Sequence, residues 1–213
     1  MKKEIKVCLL DFDGTLVVED ILTLLCGIAG KLKESKELND RFNRGEIHGL
    51  DALVTRINFL AGMTNSQITQ FLKQNHHLMP GAEELIKFLK ENNIITILAS
   101  GNIPLVLKFY QKLLGIDYIV GPRPDMDGDK ILKLKKSSFS SLYFKKDGIK
   151  AIIDPMNLQK ENIMAIGDGP GDKQMFEISG YNIAFNPQGG IENFTDIVVK
   201  GDLNKVVDVL KTL

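Results

Sequence analysis

Two apolar runs of the sequence are each followed by a pair of closely spaced aspartates. One run ends at Asp11 and Asp13, and a second ends at Asp168 and Asp172. Carboxylates gathered in one pocket cannot all stay ionised without a cation, and an oxygen-rich site with an open position suits Mg²⁺. A carboxylate that faces a phosphate can act as a nucleophile, and a second carboxylate nearby can transfer the proton.

A hydroxyl group and two basic residues complete this set. Ser100 and Gly101 follow another apolar run, and Lys145 and Lys146 precede the helix that leads to the run ending at Asp168. A hydroxyl and an ammonium group would bind phosphoryl oxygens and stabilise charge in the transition state. Taken singly, each of these residues is typical of a helix cap, a turn or a solvated surface. As a set, they indicate phosphoryl chemistry.

Short apolar runs rich in β-branched residues predict the strands that would position these side chains. Their alternation with helical patterns predicts an α/β fold with a parallel sheet covered on both faces. In such a sheet, ligands bind outside the carboxyl ends of the strands. The predicted strands are 5–11, 94–100, 118–121, 162–168, 181–186 and 196–199.

The interval between the first two strands is much longer than one crossover helix requires. Its apolar spacing predicts four helices, so we expect an inserted helical cap over the carboxyl end of the first strand. The corresponding division is a core of residues 1–15 and 79–213 and a cap of residues 16–78. The four cap helices are predicted at 20–29, 35–43, 50–61 and 66–74, and further on Asp127-Gly128 predicts a hairpin turn.

The composition excludes several classes of protein. Lys and Arg number 27 and Asp and Glu also 27, so the chain has no electrostatic footprint for nucleic acid or an anionic membrane. The three histidines lack metal-ligand spacing, which argues against zinc. Cys8 and Cys26 lie in apolar runs and are expected to be reduced core thiols. We expect a cytoplasmic monomer or homodimer.

Four segments of the chain together resemble the motifs of the haloacid dehalogenase-like (HAD) hydrolase superfamily. They are DFDGT (11–15), ASGN (99–102), a lysine and GDGPGD (167–172), in that order. The helical insert, the helix at 80–90 and the segment 180–187 resemble the phosphoserine phosphatase-like branch. The resemblance covers nearly the whole chain. It implies a Rossmann-like doubly wound parallel sheet with a helical cap between the first and second motifs.

The resemblance also implies a role for each acidic residue. Asp11 would be the nucleophile and a Mg²⁺ ligand. Asp13 would be the general acid and base, with its backbone carbonyl also on the metal. Asp168 would be the remaining protein ligand, and Asp172 would orient it or a water from close by.

The remaining catalytic roles fall on the second and third motifs. Ser100 would hold the phosphate with the backbone amide of Gly101 beside it. The lysine would be Lys145, whose spacing to the last motif is the expected one, with Lys146 as the alternative.

The residues of the predicted cap do not identify a single substrate. Asp20 stands where phosphoserine phosphatases carry a glutamate that contacts the substrate amino group. Arg56 occupies the place of the arginine that binds the substrate carboxylate, and its alternative is a surface position on an amphipathic helix. With Gly101 and Asn102 these residues form the predicted substrate-binding set. Gly14, Asn102 and Gly171 differ from the usual phosphoserine phosphatase motifs.

The function predicted from these observations is a Mg²⁺-dependent phosphatase. It would hydrolyse a small phosphorylated metabolite, phosphoserine-like or related, through an aspartyl-phosphate. An alternative is a phosphotransferase of the same family. A phosphoaspartate receiver is less favoured because it needs neither a cap nor Asp13, and a binding domain without turnover would not need both Asp11 and Asp13.

Overall fold

The computed structural model describes residues 4–139, 141–195 and 197–212. The predicted strand 196–199 begins at Asp196, and the predicted core begins at Met1 and ends at Leu213. These three positions lie outside the described residues.

A parallel sheet forms the centre of the molecule. The strands are β1 (Val7–Leu10), β2 (Ile95–Ala99), β3 (Tyr118–Val120), β4 (Met126–Asp127), β5 (Lys130–Ile131), β6 (Ile163–Gly167), β7 (Tyr181–Phe185) and β8 (Ile197–Val199). Within the described residues, six of them pair in the order β3-β2-β1-β6-β7-β8, all parallel. Leu10 at the end of β1 lies opposite Leu98 and Ile166, so the residues that follow β1, β2 and β6 emerge at one edge. The predicted α/β fold is confirmed.

Nine α-helices are described in the same ranges of the chain. They are α1 (Ile21–Ile28), α2 (Leu32–Asn43), α3 (Gly49–Asn58), α4 (Asn65–Gln74), α5 (Ala82–Glu91), α6 (Pro104–Leu114), α7 (Phe144–Ile153), α8 (Lys173–Phe176) and α9 (Leu203–Lys211). The first four correspond to the predicted cap helices within a few residues. Two of them have clear start signals, since Asp20 accepts a hydrogen bond from the amide of Thr23 and Thr64 forms a capping box with Gln67. No helix in these ranges combines the length and hydrophobicity that crossing a bilayer requires.

Both faces of the sheet are covered, as strand alternation dictates. Val7 and Leu9 belong to one buried cluster with apolar residues of α7 and α8. Cys8 and Leu10 belong to a second cluster with α5, α6, α9 and the cap helices. Cys8 and Cys26 are buried and unpaired, as predicted. The central strand is therefore inaccessible to water along its length, which makes its carboxyl end a rigid platform.

The segments that lead into and out of α1–α4 run side by side. The amide of Val18 donates to the carbonyl of His77 at 2.9 Å, and the amide of Met79 donates to the carbonyl of Leu16 at 2.9 Å. These bonds lie beside the proposed boundaries at residues 16 and 78. The division into core and cap remains a prediction.

A second attachment joins the cap to the hairpin β4–β5. The amide of Gly62 donates to the carbonyl of Ile131 at 2.8 Å, and the amide of Ile131 donates to the carbonyl of Met63 at 2.9 Å. The hairpin turns at Gly128 with φ +58°, in accordance with the predicted turn. Backbone hydrogen bonds thus hold the α3–α4 turn, in addition to those between the segments that lead into α1 and out of α4.

Candidate active site

A cavity of about 380 Å³ lies between the carboxyl edge of the sheet and the cap. Its walls include residues that follow β1, β2 and β6, residues of α1, α2 and α3, and the segment 142–145. The sheet supplies most of the carboxylates, and the cap helices supply apolar walls such as Leu22, Phe42 and Leu53. The predicted strand-end residues and the predicted cap therefore meet in one enclosure.

Asp11, the first residue after β1, is buried and paired with a lysine. Its Oδ1 lies 2.6 Å from Nζ of Lys145, and the same Nζ lies 2.8 Å from Oδ1 of Asp172. Lys145 is in the first turn of α7 and is itself buried. Lys146 faces away and binds Glu177 at the surface at 2.8 Å. Of the two candidate lysines, the structure brings Lys145 to the acidic cluster.

Asp168 and Asp172 occupy the turn that follows β6. Oδ2 of Asp172 accepts the backbone amides of Asp168 at 3.0 Å and Gly169 at 3.1 Å, which fixes the turn. Oδ2 of Asp168 accepts from Nε2 of Gln188 at 2.7 Å. Asp168 is therefore held from both its backbone and its side chain, with the carboxylate facing Asp11.

Gly14 is required by the approach of Asp168. Its φ is +85°, and a Cβ at this position would collide with the Asp168 carboxylate. Glycine adopts this backbone conformation without strain and leaves the space that the Asp168 carboxylate occupies here, whereas a side chain would force that carboxylate to shift. The departure from phosphoserine phosphatases at this position thus has a local steric reason.

Three carboxylates of the cluster lie within 4.8 Å of one another, those of Asp11, Asp168 and Asp172. Burial, followed by repulsion from Asp172, raises the pKa of Asp11 well above its usual range. The same two causes raise the pKa of Asp168 to about 8. Burial works against the charge of Lys145, but the two carboxylates beside it outweigh burial and raise its pKa. One ammonium among three carboxylates leaves an excess of negative charge, and an all-oxygen donor set with this excess fits a hard divalent cation.

Asp13 points away from this cluster towards the cap. Its Oδ1 accepts the amide of Ile21 at 2.8 Å, its Oδ2 accepts from Oγ of Ser100 at 3.3 Å, and both oxygens lie 3.3 Å from Nδ2 of Asn102. Burial and the nearby negative charge of Asp20 raise the pKa of Asp13 to about 7. Such a carboxyl group can both donate and accept a proton near neutral pH.

The second motif is divided between the cavity and the interior. Ser100 and Gly101 line the cavity, and Oγ of Ser100 accepts the amide of Asn102 at 3.0 Å. Asn102 is fully buried and is not among the described residues that form the cavity wall. The sequence placed Asn102 in the substrate-binding set, whereas its side chain turns inward to Asp13.

Arg56 is not on the surface, because its side chain is only 9% exposed and lies in the cavity wall. Nη2 donates to Asp20 and to Thr23, Nε donates to Ser35 at 3.0 Å, and Nη1 contacts Asn39 at 3.4 Å. All three guanidinium nitrogens thus form hydrogen bonds with residues of α1 and α2 or with Asp20, the N-cap residue of α1. Asp20 and Arg56, 36 positions apart, form one ion pair facing the cavity.

Two glutamines are among the site residues that the sequence interpretation did not identify. Gln188 binds Asp168, and Oε1 of Gln174 accepts the amide of Lys145 at 3.1 Å. Gln188 follows β7, the neighbour of β6 in the sheet, and a polar side chain just after that strand was the available signal. Gln174 gave no comparable signal, since it lies within a helix.

Comparisons with known proteins identify the family of the chain. The haloacid dehalogenase-like hydrolase family matches residues 5–180. The chain is 28% identical to a phosphoserine phosphatase of Campylobacter jejuni subsp. doylei over 98% of its own length and 100% of that protein. It is 29% identical to a phosphoserine phosphatase of Archaeoglobus fulgidus over 98% of its length, and it spans 61% of that longer protein.

A solved structure shares the fold. It is described as a phospho-aspartyl intermediate analogue of phosphoserine phosphatase, and it superimposes with a TM-score of 0.82 at 24% identity. The alignment covers 97% of this chain and 99% of that one. The predicted family, fold and enzyme class are confirmed. The chain belongs to the haloacid dehalogenase-like hydrolases, in the phosphoserine phosphatase-like branch.

Proposed function

We propose that the protein is a Mg²⁺-dependent phosphatase that hydrolyses a small phosphomonoester through an aspartyl-phosphate on Asp11. The observation that carries this proposal is the buried group of Asp11, Lys145, Asp168 and Asp172, with Asp13 beside it, at the floor of a covered cavity. The phosphoserine phosphatases that the chain resembles support the same chemistry.

In the first step, a carboxylate oxygen of Asp11 attacks phosphorus while the bond from phosphorus to the leaving oxygen breaks. Asp13 gives its proton to that oxygen, so the alcohol leaves neutral. In the second step, Asp13 takes a proton from water as the water oxygen attacks the aspartyl-phosphate. Inorganic phosphate departs, and Asp11 is restored. The raised pKa of Asp13, about 7, suits both proton transfers.

Three groups bind the phosphoryl oxygens in this proposal. They are the hydroxyl of Ser100, the amide of Gly101 and the ammonium of Lys145, and they balance the charge that develops during transfer. Lys145 already bridges Asp11 and Asp172, so it also keeps the nucleophile from turning away from the cavity.

The carboxylates of Asp11 and Asp168 and the backbone carbonyl of Asp13 would hold Mg²⁺, with Asp172 close by. When bound, the ion supplies positive charge that allows the carboxylates to be ionised together and polarises the phosphoryl group. Asp172 contributes mainly by fixing the turn that carries Asp168, since both of its oxygens are already used within the chain.

The Asp20–Arg56 pair sets a condition on the substrate. A carboxylate that binds Arg56 at Nη2 must displace or share Asp20, and the freed Asp20 then suits an ammonium group. A zwitterionic leaving group such as that of phosphoserine satisfies both charges. A neutral alcohol would instead leave the pair intact and pack against the apolar walls, which makes another small phosphomonoester the second candidate.

The test is turnover of p-nitrophenyl phosphate and of a panel of phosphorylated metabolites, phosphoserine included, with Mg²⁺ or with EDTA. Asp11→Asn should abolish Mg²⁺-dependent hydrolysis while the circular dichroism spectrum is unchanged. Lys145→Ala should lower turnover by at least about 100-fold, and Lys146→Ala serves as the matched control with wild-type turnover. Hydrolysis retained by Asp11→Asn would contradict the nucleophile. Added alcohol acceptor separates transfer from hydrolysis.

A further inference from the structure

We propose that Asn102 is a positioning residue that holds the carboxyl group of Asp13 in the orientation needed to deliver its proton to the leaving oxygen. The inference rests on the proposed function and deepens it. The resemblance provides no such role, because Asn102 is one of the positions at which the chain departs from the usual motif.

The amide of Asn102 has one defined orientation. Its Oδ1 accepts the backbone amide of Ile103 at 3.1 Å, so its Nδ2 must be the end that faces Asp13. Nδ2 lies 3.3 Å from both carboxylate oxygens of Asp13. Because Asn102 is fully buried, neither contact is replaced by bulk water. The side chain is therefore a fixed donor, aimed at the centre of the carboxyl group.

The other contacts of Asp13 do not provide the same restraint. In the described part of the chain, its remaining hydrogen bonds come from the amide of Ile21 to Oδ1 and the hydroxyl of Ser100 to Oδ2. Ser100 has one hydroxyl proton, and in the proposed reaction it is donated to the phosphate. When the hydroxyl proton of Ser100 is donated to the phosphate, Asn102 remains as the hydrogen-bond donor to Oδ2 of Asp13.

An amide suits this task because it carries no charge. A cation in the same place would favour the ionised carboxylate and would weaken Asp13 as an acid. An amide restrains the carboxyl group in both protonation states, which the two proton transfers require. Loss of Asn102 should leave the nucleophile in place but allow the acid to turn.

This difference predicts a dependence on the leaving group. Breaking the bond to a phenoxide needs proton donation more than breaking the bond to p-nitrophenoxide, a much weaker base. Phenyl phosphate and p-nitrophenyl phosphate are close in size and lack a carboxylate, so they bind similarly. In Asn102→Ala, we expect kcat/KM to fall about tenfold for phenyl phosphate, a part of the roughly 100-fold or more that general acid catalysis provides. For p-nitrophenyl phosphate, the fall should stay within about threefold.

Three variants frame the measurement. Asn102→Leu has the same shape without the donor, and it should reproduce the selective loss even if Asn102→Ala does not fold. Asp13→Asn should show the same selectivity, with a larger loss of kcat/KM for phenyl phosphate than the Asn102 variants show. Asn182→Ala removes a partly buried amide of β7, two strands away from β1, that bonds to Ser179 and Phe176. It should lower the melting temperature without any leaving-group selectivity.

The possible outcomes distinguish failure of the positioning role from failure of the proposed function. A wild-type enzyme that hydrolyses neither these esters nor any phosphorylated metabolite of the panel with Mg²⁺ would overturn the proposed function and this inference together. An active wild type whose folded Asn102 variants lose both activities equally, or lose neither, would overturn the positioning role alone. A selective loss confined to phenyl phosphate would support it.

Discussion

The buried carboxylates of the cluster predict that the metal-free protein becomes less stable as the pH rises. Burial, and then repulsion from Asp172, raises the pKa of Asp168 from the ordinary 3.8 to about 8 in the folded chain. A group with a raised folded pKa keeps its proton in the folded state after the unfolded state has released it. Folding is therefore favoured below pH 4, and this contribution is lost as the pH rises towards 8.

The magnitude follows from the shift. Each pH unit between the two pKa values changes the free energy of unfolding by about 1.4 kcal/mol. Between pH 5 and pH 8, Asp168 should thus cost about 4 kcal/mol of stability in the absence of metal. For a chain of this length, 1 kcal/mol corresponds to about 2–4 °C in melting temperature, so the expected drop is roughly 8–16 °C.

The assay is thermal denaturation followed by circular dichroism at both pH values, with EDTA or with excess Mg²⁺ at equal ionic strength. Asp168→Asn is the control, because it removes the titrating group and keeps an oxygen for Gln188. Subtracting its pH dependence from that of the wild type isolates the contribution of Asp168. Mg²⁺ should restore the wild type more at pH 8 than at pH 5, and it should stabilise Asp168→Asn much less.

Equal pH dependence in wild type and Asp168→Asn would refute the electrostatic reasoning. Equal stabilisation of both proteins by Mg²⁺ would show that the ion acts elsewhere. Only the second result would remove the cation from the cluster of Asp11, Asp168 and Asp172.

Two further predictions concern the cap and the first motif. Arg56→Ala should raise KM for carboxylate-bearing esters more than for p-nitrophenyl phosphate, and equal changes in KM would exclude a carboxylate contact. The same variant should lower the free energy of unfolding in urea by about 3 kcal/mol, because Asp20 loses its partner. Gly14→Ala should lower turnover because the added Cβ displaces the Asp168 carboxylate, whereas Gly30→Ala, also left-handed but in open space, should cost only about 1 kcal/mol and retain turnover. Steady-state kinetics decide both.

The strand-end residues were predictable because two simple patterns locate them. Apolar β-branched runs mark parallel strands, and polar residues directly after such runs must gather at one edge of the sheet. This reasoning predicts that Asp11, Ser100 and Asp168 lie close together. It could not separate Lys145 from Lys146, since neighbouring residues on a helix differ by 100° in direction and the rotation of α7 is set by packing. Spacing alone, read through the family resemblance, favoured Lys145.

The cap contacts were less accessible from sequence. The ion pair between Asp20 and Arg56 depends on how α1 packs against α3, and no local pattern encodes that packing. The burial of Asn102 depends in the same way on the turn after β2. Such contacts join residues far apart in the chain, and their geometry is decided by tertiary structure.

The cap and the sheet share one apolar cluster, which bears on how this enzyme could diversify. Ile57 and Leu72 of the cap belong to the same cluster as Leu10 of β1, and α4 packs against α6 of the core. Removing residues 16–78 would expose to water apolar side chains of β1 and α6 that are buried in this shared cluster, so we expect the remaining chain to lose stability without them. New substrate preferences are more accessible through single replacements in the cavity wall than through exchange of the whole insert.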